Sequence, residues 1–177
     1  MANALTAVRL ALVLPLAVAF ARPDFLAPGI VAVLLFVAMI TDYVDGPVAR
    51  MTGTASAKGQ LFDHSTDCLF VTGGLTGAAM GGSLTPVLPA LIPIAFGQYV
   101  VDSYVLSRQK QLRASYLGRW NGILYFVPLG IIAGARLWPF TGIAPFLLLV
   151  ARTLGYVLVA STLASVIDRA TTSFTSR

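Results

Sequence analysis

Residues 41–67 read TDYVDGPVARMTGTASAKGQLFDHSTD and place four aspartates, Asp42, Asp45, Asp63 and Asp67, between two stretches apolar enough to cross a bilayer. The chain carries seven acidic residues and no glutamate, so more than half of its negative charge stands in this one segment. On the membrane-insertion scale a carboxylate at mid-bilayer costs roughly 2.5 to 3.5 kcal/mol, and four cost on the order of 10 kcal/mol as an upper bound, less near the interface. Bound cations are the simplest way to offset that penalty.

The rest of the chain sets this cluster in a membrane. Of the 177 residues, 57% are hydrophobic and 11% charged, and the mean hydropathy is +0.83, far from the usage of a soluble domain. A span needs about 20 mostly apolar residues. The pattern predicts an all-α integral membrane protein, a bundle of six transmembrane helices near 4–21, 27–50, 59–81, 85–107, 121–138 and 142–167, with residues 1–177 forming one domain. The first segment carries Ala19-Phe20-Ala21, which has the look of a signal-peptide cleavage site; it is read as a span because its removal would leave five and separate the termini. An even number of spans puts both termini on one side. Arg9, Arg50, Lys58, Arg108, Lys110, Arg113, Arg119, Arg169 and Arg177 fall on that side, against Arg22 and Arg136 at the opposite ends. By the positive-inside rule the termini and the aspartates are cytoplasmic, at the cell's inner (cytoplasmic) membrane. The net charge of +5 is then topology and contact with anionic membrane lipids rather than a nucleic-acid surface, and no aromatic-interleaved basic stretch suggests DNA or RNA.

Asp42 and Asp45 are three residues apart at the end of the second helix, and Asp63 and Asp67 four apart at the start of the third. At 100° per residue each pair projects from one helix face, and the short turn between the helices lets the faces meet. Four converging carboxylates make a hard-oxygen site suited to Mg²⁺ or Mn²⁺, as one ion or as two sharing ligands. Zinc fits poorly, with His64 the single histidine and Cys68 the single thiol, a small packing residue on this reading. Gly46, Ala49 and Gly59 lack bulk and admit a ligand or a facing backbone, and Arg50 offers a bidentate grip on a phosphate. Together these residues describe a site for a metal-bound diphosphate. The competing reading is a set of salt bridges to Arg50 and Lys58, and two cations do not balance four anions.

These residues also resemble a known family. Asp42, two residues, Asp45-Gly46, two residues, Ala49-Arg50, eight residues, Gly59, three residues, Asp63, three residues and Asp67 reproduce the signature of the CDP-alcohol phosphotransferases without a gap. The resemblance implies a membrane enzyme that moves a substituted phosphate from a CDP-linked lipid donor, commonly CDP-diacylglycerol, to a polar alcohol and releases CMP. It implies that Asp42, Asp45, Asp63 and Asp67 hold the metals and that Asp67 also deprotonates the acceptor. It further implies that Gly46, Ala49, Arg50 and Gly59 accommodate the nucleotide, and that the protein is a homodimer. Asn3, Thr6 and Arg9 are similar to a weaker family pattern near the nucleotide, with a polar first turn and a snorkelling arginine as the plainer alternative.

The acceptor is read from cations. The loop after the fourth span brings Arg108, Lys110, Arg113 and Arg119 to the same face and suits an acceptor with its own phosphate, such as glycerol 3-phosphate or inositol phosphate. Leu117-Gly118-Arg119 is loosely similar to the Leu-Gly-Lys of phosphatidylglycerophosphate synthases, whereas Phe62-Asp63-His64 resembles the Phe-Asp-His of choline and ethanolamine phosphotransferases, which would make the acceptor an amino alcohol. Arg152, well inside the last span, either pairs with Asp102, meets a lipid phosphate, or lines the acceptor cavity. Gln98 and Asp102, one turn apart, are expected to face that cavity. Gly73, Gly77 and Gly81, and Gly130 and Gly134, repeat at four-residue spacing and predict close helix packing. The tail after Asp168 is expected to fray. A rival function of another class is a divalent-cation transporter or channel, which explains the carboxylates and leaves Gly46, Ala49, Arg50 and Gly59 without a task.

Overall fold

The computed structural model describes residues 2–51, 56–103, 116–138 and 142–175. Arg108, Lys110 and Arg113 lie outside the described residues, as do the side-chain settings of Asn3, Asp45, Gly46, Ala49 and Arg50. Every described element is helical: α1 (Ala2–Ala21), α2 (Pro28–Met51), α3 (Ala57–Met80), α4 (Val87–Val101), α5 (Tyr116–Leu124), α6 (Phe126–Leu137) and α7 (Ile143–Thr175). Helices α5 and α6 are one rod broken at Tyr125. Pro128 has no N–H to offer the Leu124 carbonyl, which accounts for the break.

Two rods among the described residues, Leu117–Leu137 and Ile143–Thr171, are long and apolar enough to cross a membrane, and Leu5–Ala21, Pro28–Val44 and Val87–Val101 are shorter apolar helices. The distribution of side chains is inverted relative to a protein in water. Leu14, Val33, Phe36, Phe146, Leu149 and Ile167 are all more than half exposed, while Thr6, Arg9, Asn121, Thr162, Ser165 and Arg169 are buried. In water such an apolar exterior would be a large uncompensated exposure, whereas lipid covers it without penalty.

Around the bundle α1 packs on α3 and α2, α3 on α4, α4 on α7, α7 on α6, and α6 on α2, which closes a ring. Across the ring α3 also touches α6. That crossing is made where Phe70 stacks on Phe126 at 5.8 Å, and where a Cβ on Gly74 would come within 2.9 Å of Leu129. Leu16, Phe20, Leu75, Leu88, Leu129 and Leu158 fill this half of the bundle at 1% exposure or less. The expected glycine packing is found on α3. A Cβ on Gly77 would stand 2.1 Å from the Ala17 carbonyl oxygen and one on Gly81 would stand 2.7 Å from that of Phe20, so α1 and α3 meet backbone to backbone. Gly130 and Gly134 differ, with open space where a Cβ would point.

Two local devices set the ends. Ser56, in extended conformation, caps α3 by accepting the Gly59 N–H at 3.1 Å. Arg136 on α6 donates to the carbonyls of Ala19 and Phe20 at 2.6 and 2.7 Å, which ties off the last turn of α1. The expectation of a frayed tail is corrected: α7 continues to Thr175. Its eighth turn carries Arg169, 9% exposed and seated 4.9 Å over the Tyr99 ring, so burial and a cation–π contact hold the helix past Asp168.

Candidate active site

Arg9 is the largest fully buried side chain among the described residues, at 0% exposure, and it gathers the acids of two other helices. Its Nη1 lies 2.7 Å from Asp42 Oδ1 of α2, and its Nη2 donates to Asp63 Oδ1 of α3 at 3.2 Å. Nη1 also meets Asp67 Oδ1. The i, i+4 spacing of Asp63 and Asp67 puts both on one face of α3, and the end of α2 brings Asp42 to them. The convergence expected from sequence is thus present for these three residues. The reading of Arg9 as an interfacial snorkelling residue is corrected, because no part of its side chain reaches the surface. Thr6, one turn earlier, is buried as well, at 2% exposure.

The donor set fits a divalent cation. Three carboxylates surround one guanidinium, a net formal charge of −2 over these four side chains, at 27–35% side-chain exposure of the acids. Ligand atoms of Asp63, His64 and Asp67 all lie within 4.8 Å of one another. Oxygen donors in this number suit Mg²⁺, Mn²⁺ or Ca²⁺ rather than a thiophilic metal.

Beside the acids opens a cavity of about 650 Å³ at the end of the bundle where α2 and α4 finish and α3 and α5 begin. Asp42, Tyr43, Gln60, His64, Asp67 and Cys68 line it from α2 and α3. Gln98 and Tyr99 line it from α4, Arg119 and Asn121 from α5, and Thr162, Ser165 and Arg169 from α7. His64 lies against the Tyr99 ring at 6.4 Å with 18° between planes, and its Nδ1 is 3.9 Å from Asp63 Oδ2. His64 and Arg169 both lie against the Tyr99 ring, which joins α3, α4 and α7 along one wall. Below it Tyr125 and Thr162 share a 2.7 Å hydrogen bond, and Ser161 donates to Asn121 Oδ1 at 2.7 Å.

The sequence-predicted residues divide by position. Asp42, Asp67 and Arg119 line the cavity, Asp63 stands in the carboxylate cluster, and Gln98 faces the cavity as expected. Gly59 lies in the first turn of α3, bonded to the Ser56 cap. Arg152 does not line the cavity. It is exposed and donates to the Gly82 carbonyl at 2.8 Å in the α3–α4 turn, about 25 Å along α7 from Arg169 at 1.5 Å per residue, so its charge is met by backbone at the other end of the bundle. Neither Arg169 nor the centrality of Arg9 was identified as part of the site. A signal for Arg169 exists in the sequence, since Ser161, Ser165 and Arg169 form a polar row at four-residue spacing on one face of the helix.

Comparison with known proteins agrees with this geometry. The family model of CDP-alcohol phosphatidyltransferase matches residues 1–167, and the chain belongs to that family, whose members are transferases in membranes and generally use a divalent metal. A Mycoplasma genitalium CDP-diacylglycerol–glycerol-3-phosphate 3-phosphatidyltransferase is 31% identical over 110 residues, 60% of this chain and 45% of that protein. An Encephalitozoon cuniculi CDP-diacylglycerol–serine O-phosphatidyltransferase is 42% identical over 55 residues, 30% of this chain and 14% of that protein. The chain thus spans less than half the length of each of these curated relatives. No solved structure matches it.

Proposed function

We propose that the protein transfers the phosphatidyl group of CDP-diacylglycerol to the hydroxyl of a phosphorylated polyol, glycerol 3-phosphate or a close relative, with release of CMP. The observation that carries this reading is the polarity of one cavity: carboxylates of Asp42 and Asp67 enter it from α2 and α3, and guanidinium groups of Arg119 and Arg169 from α5 and α7. The acidic side suits a metal-bound diphosphate, and the basic side an acceptor that brings its own phosphate. Serine or an amino alcohol fits less well. Among the described lining residues the acids are Asp42 and Asp67, both committed to the diphosphate side, so no carboxylate is left for an ammonium group.

Asp42, Asp63 and Asp67, with Asp45, would hold Mg²⁺ or Mn²⁺, as a pair of ions on the family pattern. When bound, the metal supplies charge neutralisation on the diphosphate and so favours departure of CMP. Asp67, which faces the cavity, takes the proton of the acceptor hydroxyl as that oxygen bonds to the phosphorus bearing the lipid and the P–O bond to CMP breaks. Arg9 holds the three carboxylates at a common point and limits their repulsion. Gly46, Ala49, Arg50 and Gly59, together with Asn3 and Thr6, keep the nucleotide role that the family pattern suggests. The reading includes a six-span bundle with the site at the cytoplasmic edge of the inner membrane, where a lipid enters laterally and a polar acceptor from water. It also includes the homodimer that the family resemblance implies.

The transporter alternative is weakened by the apolar half of the bundle, where Leu75, Leu88 and Leu129 are fully buried among the described residues beneath the cavity. The test is to give the purified protein in lipid–detergent micelles CDP-diacylglycerol with glycerol 3-phosphate, inositol phosphate or serine, with Mg²⁺, Mn²⁺ or a chelator. Metal-dependent CMP release and a phosphatidylglycerophosphate product are expected. Phosphatidylserine as the main product, or metal flux into sealed proteoliposomes by a protein that releases no CMP, would overturn the assignment.

A further inference from the structure

Two carboxamides in the cavity are left half-used. Gln98 on α4 donates its Nε2 to the Val166 carbonyl of α7 at 3.0 Å, which fixes the amide orientation, and its Oε1 is buried with no partner among the described residues. Asn121 on α5, 3% exposed, accepts from Ser161 at Oδ1, and its Nδ2 is likewise buried with no partner among the described residues. Both side chains line the cavity. A desolvated amide atom left unbonded costs about 1 to 3 kcal/mol, and two in one cavity are readily explained if a ligand completes them.

Their placement relative to the arginines is specific. Val166 precedes Arg169 by three residues on α7, and Asn121 follows Arg119 by two on α5. At 1.5 Å per residue the backbone positions of these anchors lie about 3 to 5 Å deeper in the bundle than those of the two arginines. Gln98 offers an acceptor and Asn121 a donor, the pair of functions that a hydroxyl group needs for its own donor and acceptor sides. Neither is charged, so neither adds selectivity for an ammonium or a carboxylate.

We infer that Gln98 and Asn121 are specificity-determining residues that read the non-reacting hydroxyl of the acceptor, and so select a phosphorylated polyol over a phosphorylated simple alcohol. This rests on the acceptor reading above. It assigns the arginines to the phosphate, Asp67 to the attacking hydroxyl and the two amides to the hydroxyl between. A site built to bond a hydroxyl discriminates strongly against the analogue that lacks it, because the amide atoms are then left dry and unpaired.

The test compares glycerol 3-phosphate with 3-hydroxypropyl phosphate, which keeps the phosphate and the attacking primary hydroxyl and lacks the secondary one. For the full chain the ratio of kcat/KM between the two acceptors is expected at about tenfold or more. Gln98→Met and Asn121→Leu, which keep side-chain volume, should bring that ratio to within about twofold of unity, chiefly by raising KM for glycerol 3-phosphate. Ser161→Ala, which removes only the hydrogen bond that orients Asn121, should lower it part of the way and serves if a larger change fails to fold. An unmodified protein with no preference, or variants that keep the full preference or lose both acceptors equally, would overturn this inference and leave the proposed reaction standing. A protein that turns over neither acceptor would overturn the acceptor reading and this inference with it.

Discussion

The two halves of helix α3 face different tasks with different residues. In the half from Gly73 to Gly81 the face toward α1 carries glycine at every fourth residue, and α1 approaches until the Ala17 carbonyl lies close to where a Gly77 Cβ would be. In the half from Gln60 to Cys68 the same helix carries Asp63, His64 and Asp67 and stands back to leave a cavity of about 650 Å³. The dry half is closed by Phe70, Leu75 and Leu129 and by Arg136 holding the end of α1. The wet half holds buried polar groups that water or lipid would otherwise claim. A polar cavity can be kept open because the helices that line it are clamped at the other end, where close packing leaves them no alternative arrangement.

Changes in the wet half should affect turnover and changes in the dry half should affect folding, and that separation is open to experiment. The largest effect is expected for Asp67→Asn, with a fall in kcat of about a hundredfold or more while the protein remains folded, as judged by its thermal unfolding in detergent. Equal unfolding of Asp67→Asn and a dry-half variant would break the distinction. Gly77→Leu should come next: its clash is with backbone, which cannot rotate away, so a loss of roughly 3 kcal/mol or more of stability and poor recovery of monodisperse protein are expected. Activity per folded molecule is the measurement that separates it from the aspartate variant.

Arg169→Met should raise the acceptor KM by about ten- to a hundredfold with a smaller change in kcat, in line with loss of one charge-assisted bond to phosphate. An unchanged KM would move the acceptor away from α7. Arg136→Met removes two hydrogen bonds to the carbonyls of Ala19 and Phe20 and a contact over the Phe20 ring, and should lower the unfolding temperature by a few degrees with catalytic constants intact. Arg152→Gln should have the smallest effect, with no change in acceptor KM, because its partner is the Gly82 carbonyl far from the cavity.

Much of this was legible in the chain itself. The acid pairs at spacings of three and four determined which helix faces carry them, and helical geometry alone then required Asp63 and Asp67 to point together. The glycine row on α3 determined a close helix contact because a residue without a Cβ has no other advantage in mid-helix. Composition determined an apolar exterior. Which helix meets the glycines, and whether Gly130 and Gly134 meet anything, was decided only by the tertiary arrangement, since one helical period describes a face and not its neighbour. The same reason explains the arginines. Arg9 and Arg152 look alike in sequence, each a lone cation in an apolar run, and Arg169 follows an acid at the polar end of its helix, yet one gathers carboxylates, one caps a carbonyl and one stacks on a tyrosine. A guanidinium takes its role from the groups within reach of it, and those come from helices tens of residues away along the chain.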